Sequence, residues 1–117
     1  MRGASVELGA GWAPELLRRL DWVVKVWSRT DANLQGWSRT PSQQIVDQLA
    51  FTPFVFEAVG DLIDQSSPDL YLFSTDYPHI EGGRHPVQSF LAMAERLQPG
   101  YVEDFFVSNG ELLLGAT

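Results

Sequence analysis

Apolar residues recur along the chain in two different patterns, short unbroken runs and stripes at helical spacing. The unbroken runs are typical of buried strands, and they fall at Leu49–Thr52 and Leu70–Ser74. Ala4–Leu8, which includes Ser5 and Glu7, is a further short strand candidate. The stripes predict amphipathic helices between and after these runs. The residues that form them are Leu16, Leu20, Val23, Val24 and Trp27, then Val55, Val59, Leu62 and Ile63, and then Val87, Phe90, Leu91, Ala94 and Leu97.

Start and stop signals set the bounds of the helices. Pro14 and Pro86 suit first helical turns, and Thr40, Pro41 and Gln43 form a capping-box pattern that opens a helix over Pro41–Gln48. Pro99-Gly100 predicts the end of the helix that Pro86 opens. A last helical segment from Tyr101 is predicted to break near Asn109-Gly110, with Asn109 capping the tail LLLG.

The predicted order is strand, helix, loop with a further helix, strand, helix, strand, helix, helix. Strands that alternate with helices favour parallel pairing with helical crossovers, and continuous apolar strands suit a sheet that is covered on both faces. The predicted fold class is therefore α/β, although three strands are few for such a sheet.

The chain has 117 residues, which corresponds to a single domain over 1–117. Hydrophobic residues make up 44% of the sequence and charged residues 20%, as in soluble globular proteins. No apolar run approaches the ~18 residues of a membrane span, and the N-terminus has no hydrophobic signal core. The expectation is a cytoplasmic protein with no membrane partner.

Fifteen acidic and eight basic residues give a formal net charge of −7. Such a charge opposes attraction to nucleic-acid phosphates, so a nucleic-acid partner is not expected. The sequence has no cysteine, which excludes thiolate metal sites and leaves His79, His85 and the carboxylates as the candidate ligands.

The densest group of reactive side chains follows the third predicted strand, in the segment STDYPHIEGGR. Ligands gather at the carboxyl ends of parallel strands, where loops vary on a rigid support. Asp76 can ligate a metal or accept a proton from bound water, and His79 and Glu81 can bind substrate, move a proton or orient Asp76. The alternative is that Asp-Tyr-Pro and Gly82-Gly83 only turn the chain.

Other residues give weaker signals. Glu7 is predicted to be a carboxylate within the first strand, either functional or structurally paired. Trp12 is predicted to lie beside the presumed catalytic face, at the carboxyl ends of the strands. Gly9-Ala10-Gly11 lacks the third glycine of a dinucleotide-binding loop and predicts a tight turn instead. His85 is interpreted as a helix-start residue, and three acids are predicted to form a solvated helix face: Glu57, Asp61 and Asp64.

These segments resemble a known enzyme family. FSTDYPHIEGGRHP resembles the last strand and following loop of amidohydrolase-related metal-dependent enzymes, in the branch of aminocarboxymuconate-semialdehyde decarboxylase-like proteins. VELGAGWAPELLRRLD is similar to the sixth strand and helix of that family, RTPSQQIVDQLAFTPF to the approach to its seventh strand, and FFVSNGELLLG to its closing helices. The resemblance covers nearly the whole chain.

The resemblance implies the last three βα units of a (β/α)8 barrel, strands 6 to 8, with closing helices. It also implies a divalent metal, zinc first, with Asp76 as a ligand, and hydrolysis or non-oxidative decarboxylation of a small carboxylated or cyclic substrate. His79 and Glu81 carry over as catalytic candidates less directly. The chain is less than half of the ~250 residues of a complete barrel.

The family's histidines on the first and fifth strands have no counterpart in this sequence. A catalytic metal site takes about three protein ligands, so the chain alone is expected to be inactive and not to hold the metal stably. The edges left by missing strands predict self-association or docking onto an upstream barrel half. The alternative hypothesis is a non-catalytic half-barrel that serves as a binding or assembly module.

Overall fold

The structure is a computed structural model, and it describes residues 1–94 and 96–115. Within these ranges the strands are β1 (Gly3–Ser5) and β2 (Leu49–Phe51), which pair in parallel with Ala4 opposite Ala50. The α-helices are α1 (Ala13–Trp27), α2 (Pro41–Gln48), α3 (Val59–Gln65), α4 (Pro86–Ala94), α5 (Pro99–Glu103) and α6 (Asn109–Leu114). A π-helical segment, Asp104–Ser108, joins α5 to α6, and single 3-10 turns cover Ala32–Leu34, Pro68–Leu70 and Ile80–Gly82.

The second strand and the helix before it are confirmed. Thr40 Oγ1 accepts from the amide of Gln43, and Gln43 Oε1 accepts from the amide of Thr40, so both bonds of the capping box form. The helix passes directly into β2, whose Ala50 and Phe51 are buried. The helix predicted to open at Pro14 is also present as α1, which is 15 residues long and has Pro14 in its first turn.

The predictions for the other two strands were too long. β1 ends at Ser5 because Glu7 has a positive φ of 61°, which an extended strand does not allow, so Glu7 lies outside the strand. Leu70–Ser74 is not a regular strand: Leu70 ends a 3-10 turn, Tyr71 makes one parallel bridge to Phe51, and Leu72 donates to the carbonyl of Phe51. The predicted parallel direction is nonetheless confirmed.

The C-terminal helices also differ from the prediction. Pro99 begins α5 and does not merely end the helix opened by Pro86, whose described residues are Pro86–Ala94. Asn109 is 1% exposed and caps nothing: its amide group donates to the carbonyls of Pro68 and Tyr71, both at 2.8 Å. Helical structure therefore continues through the predicted break.

The core lies between the short sheet and the helices. Phe51 and Tyr71 pack with Leu17 of α1 and with residues of α3, and the phenylalanines of α4 and the π segment extend this cluster. Some predicted stripe positions face solvent instead, because the neighbouring elements cover only part of each helix. These residues are Val23, Trp27, Val87 and Leu91, and Trp22 and Trp37 are exposed with them.

Candidate functional site

Three loops meet at the carboxyl edge of the sheet. Because β1, β2 and the segment at Tyr71 run parallel, the chain leaves all three at the same edge. Glu7 follows β1, Glu57 follows β2, and Asp76 follows the segment at Tyr71. Acidic residues that are far apart in the sequence are thereby brought to one edge.

Asp76 is held in a tight turn. Its φ of 56° is unusual for a residue other than glycine, and its carbonyl accepts from the amide of His79 at 2.8 Å. Its own amide donates to Ser74 Oγ at 3.2 Å. Oδ2 of Asp76 is buried and has no hydrogen-bond partner among the described residues. A buried carboxylate oxygen without a donor is unfavourable unless a proton or a cation satisfies it.

Glu7 and His79 form a group with Asp76. One ligand atom each from Glu7, Asp76 and His79 lies within 4.8 Å of the others. Nδ1 of His79 is 3.8 Å from Glu7 Oε2 and 3.9 Å from Glu81 Oε1. The turn at Asp76 therefore places the imidazole between two carboxylates.

The predicted site residues differ in exposure. Asp76 is half-buried, whereas His79 and Glu81 are exposed, so only Asp76 is largely withdrawn from water. Glu81 contacts His79 but is not part of the three-ligand group with Asp76. Trp12 lies at the same edge, with its indole N–H on the carbonyl of Leu8 and its ring edge-on to Phe51.

The donor set suits a divalent cation. A zinc ion binds imidazole nitrogen and carboxylate oxygen at about 2.0–2.2 Å, so its tetrahedral ligands lie about 3.4 Å apart, and catalytic sites use three protein ligands. Two carboxylates and one imidazole already within 4.8 Å need only small side-chain rotations to reach that spacing. The residues present therefore fit a metal, and Glu7 supplies the ligand that the sequence analysis did not assign.

Glu57 was predicted wrongly. It lies before α3, not on a solvated helix face, and its carboxylate accepts from the amides of Ala10, Gly11 and Phe54 at 2.8–2.9 Å. The sequence did contain one signal for this role: a glycine-rich turn after β1 leaves backbone N–H groups that need an acceptor. Asp61 and Asp64 are exposed as predicted.

The fold is similar to part of known amidohydrolases. An amidohydrolase from Mycobacterium avium subsp. paratuberculosis K-10 superposes with a TM-score of 0.79 at 23% identity, over 98% of this chain and 28% of that chain. The apo form of IDCase from Metarhizium anisopliae superposes with a TM-score of 0.69 at 22% identity, over 98% of this chain and 34% of that chain.

The chain thus spans about a third or less of the solved structures it matches, and its fold is that of part of an amidohydrolase barrel. No family model and no curated protein matches the sequence. Among the described residues, no helix is long and apolar enough to cross a lipid bilayer.

Proposed function

We propose that this chain is the C-terminal portion of a metal-dependent amidohydrolase-like enzyme, corresponding to strands 6 to 8 of the barrel. The observation that carries the proposal is the group of Glu7, Asp76 and His79 at the carboxyl edge of the parallel strands, with Asp76 Oδ2 buried and without a partner. Loops at this edge are where barrel enzymes bind their substrates.

In this proposal Glu7, Asp76 and His79 hold a divalent metal, with zinc as the first candidate. The metal, when bound, supplies Lewis-acid polarisation and lowers the pKa of bound water toward ~7. Asp76 would orient a water molecule at the metal or accept a proton from it, since positioned carboxylates can serve as general bases. Exposed Glu81, which lies beside His79 and outside the three-ligand group, contacts the substrate or carries the proton onward, and His79 takes that role only where it does not bind the metal.

The substrate is a small carboxylated or cyclic molecule, processed by hydrolysis or non-oxidative decarboxylation. The likeness to part of an amidohydrolase supports this class of chemistry. Because the chain spans 28% of that protein, the rest of the substrate pocket has to come from elsewhere, and the chain alone is expected to be inactive.

The missing part is proposed to dock onto the same edge and onto β1. The chain exposes 7690 Å², about 1,300 Å² more than the ~6,400 Å² typical of a monomer of 13.1 kDa. Apolar side chains contribute to this area in the three loops, with exposures between 55% and 94%: Val6, Leu8, Phe56, Tyr77 and Ile80. We propose that a polypeptide carrying the remaining barrel strands covers this surface, which we call the loop patch.

Metal binding tests the site. The sequence analysis expected no stable metal binding by the chain alone, but Glu7, Asp76 and His79 lie together within this chain. We therefore expect the chain to bind about one zinc ion per molecule by equilibrium dialysis, and Asp76→Asn to lower the affinity at least tenfold because it removes the charge of the buried oxygen. Asp64→Asn, which removes one exposed charge from α3, is the matched control and should bind as the unaltered chain does. Equal affinity in all three proteins would contradict the proposed site.

Turnover tests the enzymatic part of the proposal. Mixed with the separately expressed remainder of the M. avium amidohydrolase, the chain is expected to restore hydrolysis of that enzyme's substrates, with loss on chelation and in Asp76→Ala. Turnover by the chain alone that survives chelation would contradict a metal-dependent, divided enzyme.

A further inference from the structure

The Glu57 carboxylate joins two loops of the carboxyl edge. Oε2 accepts from the amide of Ala10 at 2.9 Å and from the amide of Phe54 at 2.8 Å, and Oε1 accepts from the amide of Gly11 at 2.8 Å. Ala10 and Gly11 follow β1, whereas Phe54 follows β2. One side chain thus satisfies donors that are 46 and 47 residues away in sequence.

The glycines of the first loop are fitted closely to this carboxylate. A Cβ added at Gly11 would lie 2.8 Å from Glu57 Oε1, and one added at Gly9 would lie 3.0 Å from the same oxygen and 2.8 Å from the Phe54 ring. Gly9 also has a positive φ of 65°. Larger residues would push the loop away, so its path depends on the contact with Glu57.

The same loop carries Glu7. Two residues separate Glu7 from Ala10, whose amide binds Glu57, and Glu7 itself has a positive φ of 61°. The Glu7 side chain is exposed, and its Oε2 lies 3.8 Å from Nδ1 of His79. The position of this ligand therefore depends on how firmly the loop after it is anchored.

We infer that Glu57 is a positioning residue for the proposed metal site: by accepting three backbone amides, it holds the Glu7 loop close enough to Asp76 and His79 for small side-chain rotations to bring the three ligands to a metal. The inference rests on the proposed function for its consequence in metal affinity. Its structural part, the anchoring of the loop, does not depend on a metal. Residues that orient metal ligands typically change affinity by ~10–100-fold when altered.

The test compares Glu57→Gln with two controls. Glutamine keeps the shape but replaces an accepting oxygen with a donating amide, which opposes a backbone N–H. Asp64→Asn removes the same charge from the neighbouring helix, and Ile63→Val weakens the core at a buried position of α3. Zinc affinity, urea unfolding and proton exchange at the amides of Ala10, Gly11 and Phe54 are measured on each protein.

We expect Glu57→Gln to lower zinc affinity ~10–100-fold and to speed proton exchange at the three amides. Asp64→Asn and Ile63→Val should leave zinc affinity and the exchange rates at these amides unchanged. The stability loss in Ile63→Val separates positioning from a general weakening of the fold. Unchanged zinc affinity in Glu57→Gln, or an equal loss in Ile63→Val, would overturn the inference.

A measurement made without metal separates this inference from the proposed function. Nuclear Overhauser contacts between the Glu7 side chain and the His79 ring are expected in the unaltered protein and in Asp64→Asn, and their loss in Glu57→Gln. If they persist in Glu57→Gln, positioning by Glu57 is overturned. If they are lost there but the unaltered protein binds no zinc, the proposed metal site fails while the anchoring stands.

Discussion

Gly82 shows how closely the turn around Asp76 is built. An added Cβ at this position would clash with the backbone carbonyl oxygen of Thr75 and would lie 3.1 Å from Cβ of Asp76. Gly82 is buried although it lies in a loop, and its amide donates to the carbonyl of His79. The glycine therefore lets the segment after His79 fold back onto the residue before Asp76.

Gly82→Ala is expected to lower the free energy of unfolding by about 1–3 kcal/mol, since a backbone carbonyl gives way only if the turn shifts. Gly110→Ala is the matched control: nothing lies within 4 Å of its added Cβ, and it sits in α6. At Gly110, alanine should raise the free energy of unfolding by about 0.5–1 kcal/mol because its helix propensity is higher than that of glycine. Urea unfolding measures the free energy of unfolding of both variants. No loss of stability in Gly82→Ala would contradict the packing described around Gly82.

At the scale of elements, the segment at Tyr71 is held more by the C-terminal helices than by the sheet. It makes one bridge to β2, and the amide of Phe73 donates to the carbonyl of Phe105 in the π segment. Asn109 binds the carbonyls of Tyr71 and Pro68 from the start of α6. The helices thus satisfy backbone groups that a longer strand would have paired.

Asn109→Ala is expected to lower the free energy of unfolding by about 2–3 kcal/mol, because it removes two hydrogen bonds and leaves two carbonyls without their donor. Asn33→Ala, at an exposed surface turn, should change it by less than about 0.5 kcal/mol. Urea denaturation followed by circular dichroism compares the two, and equal midpoints would contradict a structural role for Asn109.

At the scale of the whole molecule, the chain is more open than its length requires. Its radius of gyration is 15.7 Å, against about 13.4 Å for a compact domain of 117 residues. The excess exposed area of about 1,300 Å² exceeds the ~800 Å² that each partner contributes to a standard interface. The net charge of −7 opposes pairing of two copies and favours a different partner.

The proposed docking predicts a 1:1 complex of the chain with a polypeptide that carries the remaining barrel strands, measured by light scattering after gel filtration. Leu8→Lys places a charge in the loop patch and should weaken the complex at least tenfold. Leu114→Lys alters a leucine that is 83% exposed on α6, outside the patch, and should bind normally. A stable homodimer of the chain alone, or equal binding by both variants, would contradict this docking surface.

Sequence patterns by themselves determined the alternation of helices with short parallel strands, the capped start of α2 and the placement of Asp76 after the third extended segment. These features depend on neighbours within a few residues, such as Thr40 and Gln43, or on the spacing of apolar side chains. The same reasoning missed the early end of β1 and the continuous helix through Asn109, because backbone conformation at Glu7 and long-range bonds decided them.

Only the tertiary structure brought Glu7 within reach of Asp76 and His79 and turned Glu57 from a supposed surface acid into the anchor of two loops. Parallel strands deliver distant segments to one edge, and no local pattern specifies which side chains then meet there. The sequence supplied the candidate residues, and the folded chain decided which of them lie together, since that depends on distances across the sheet.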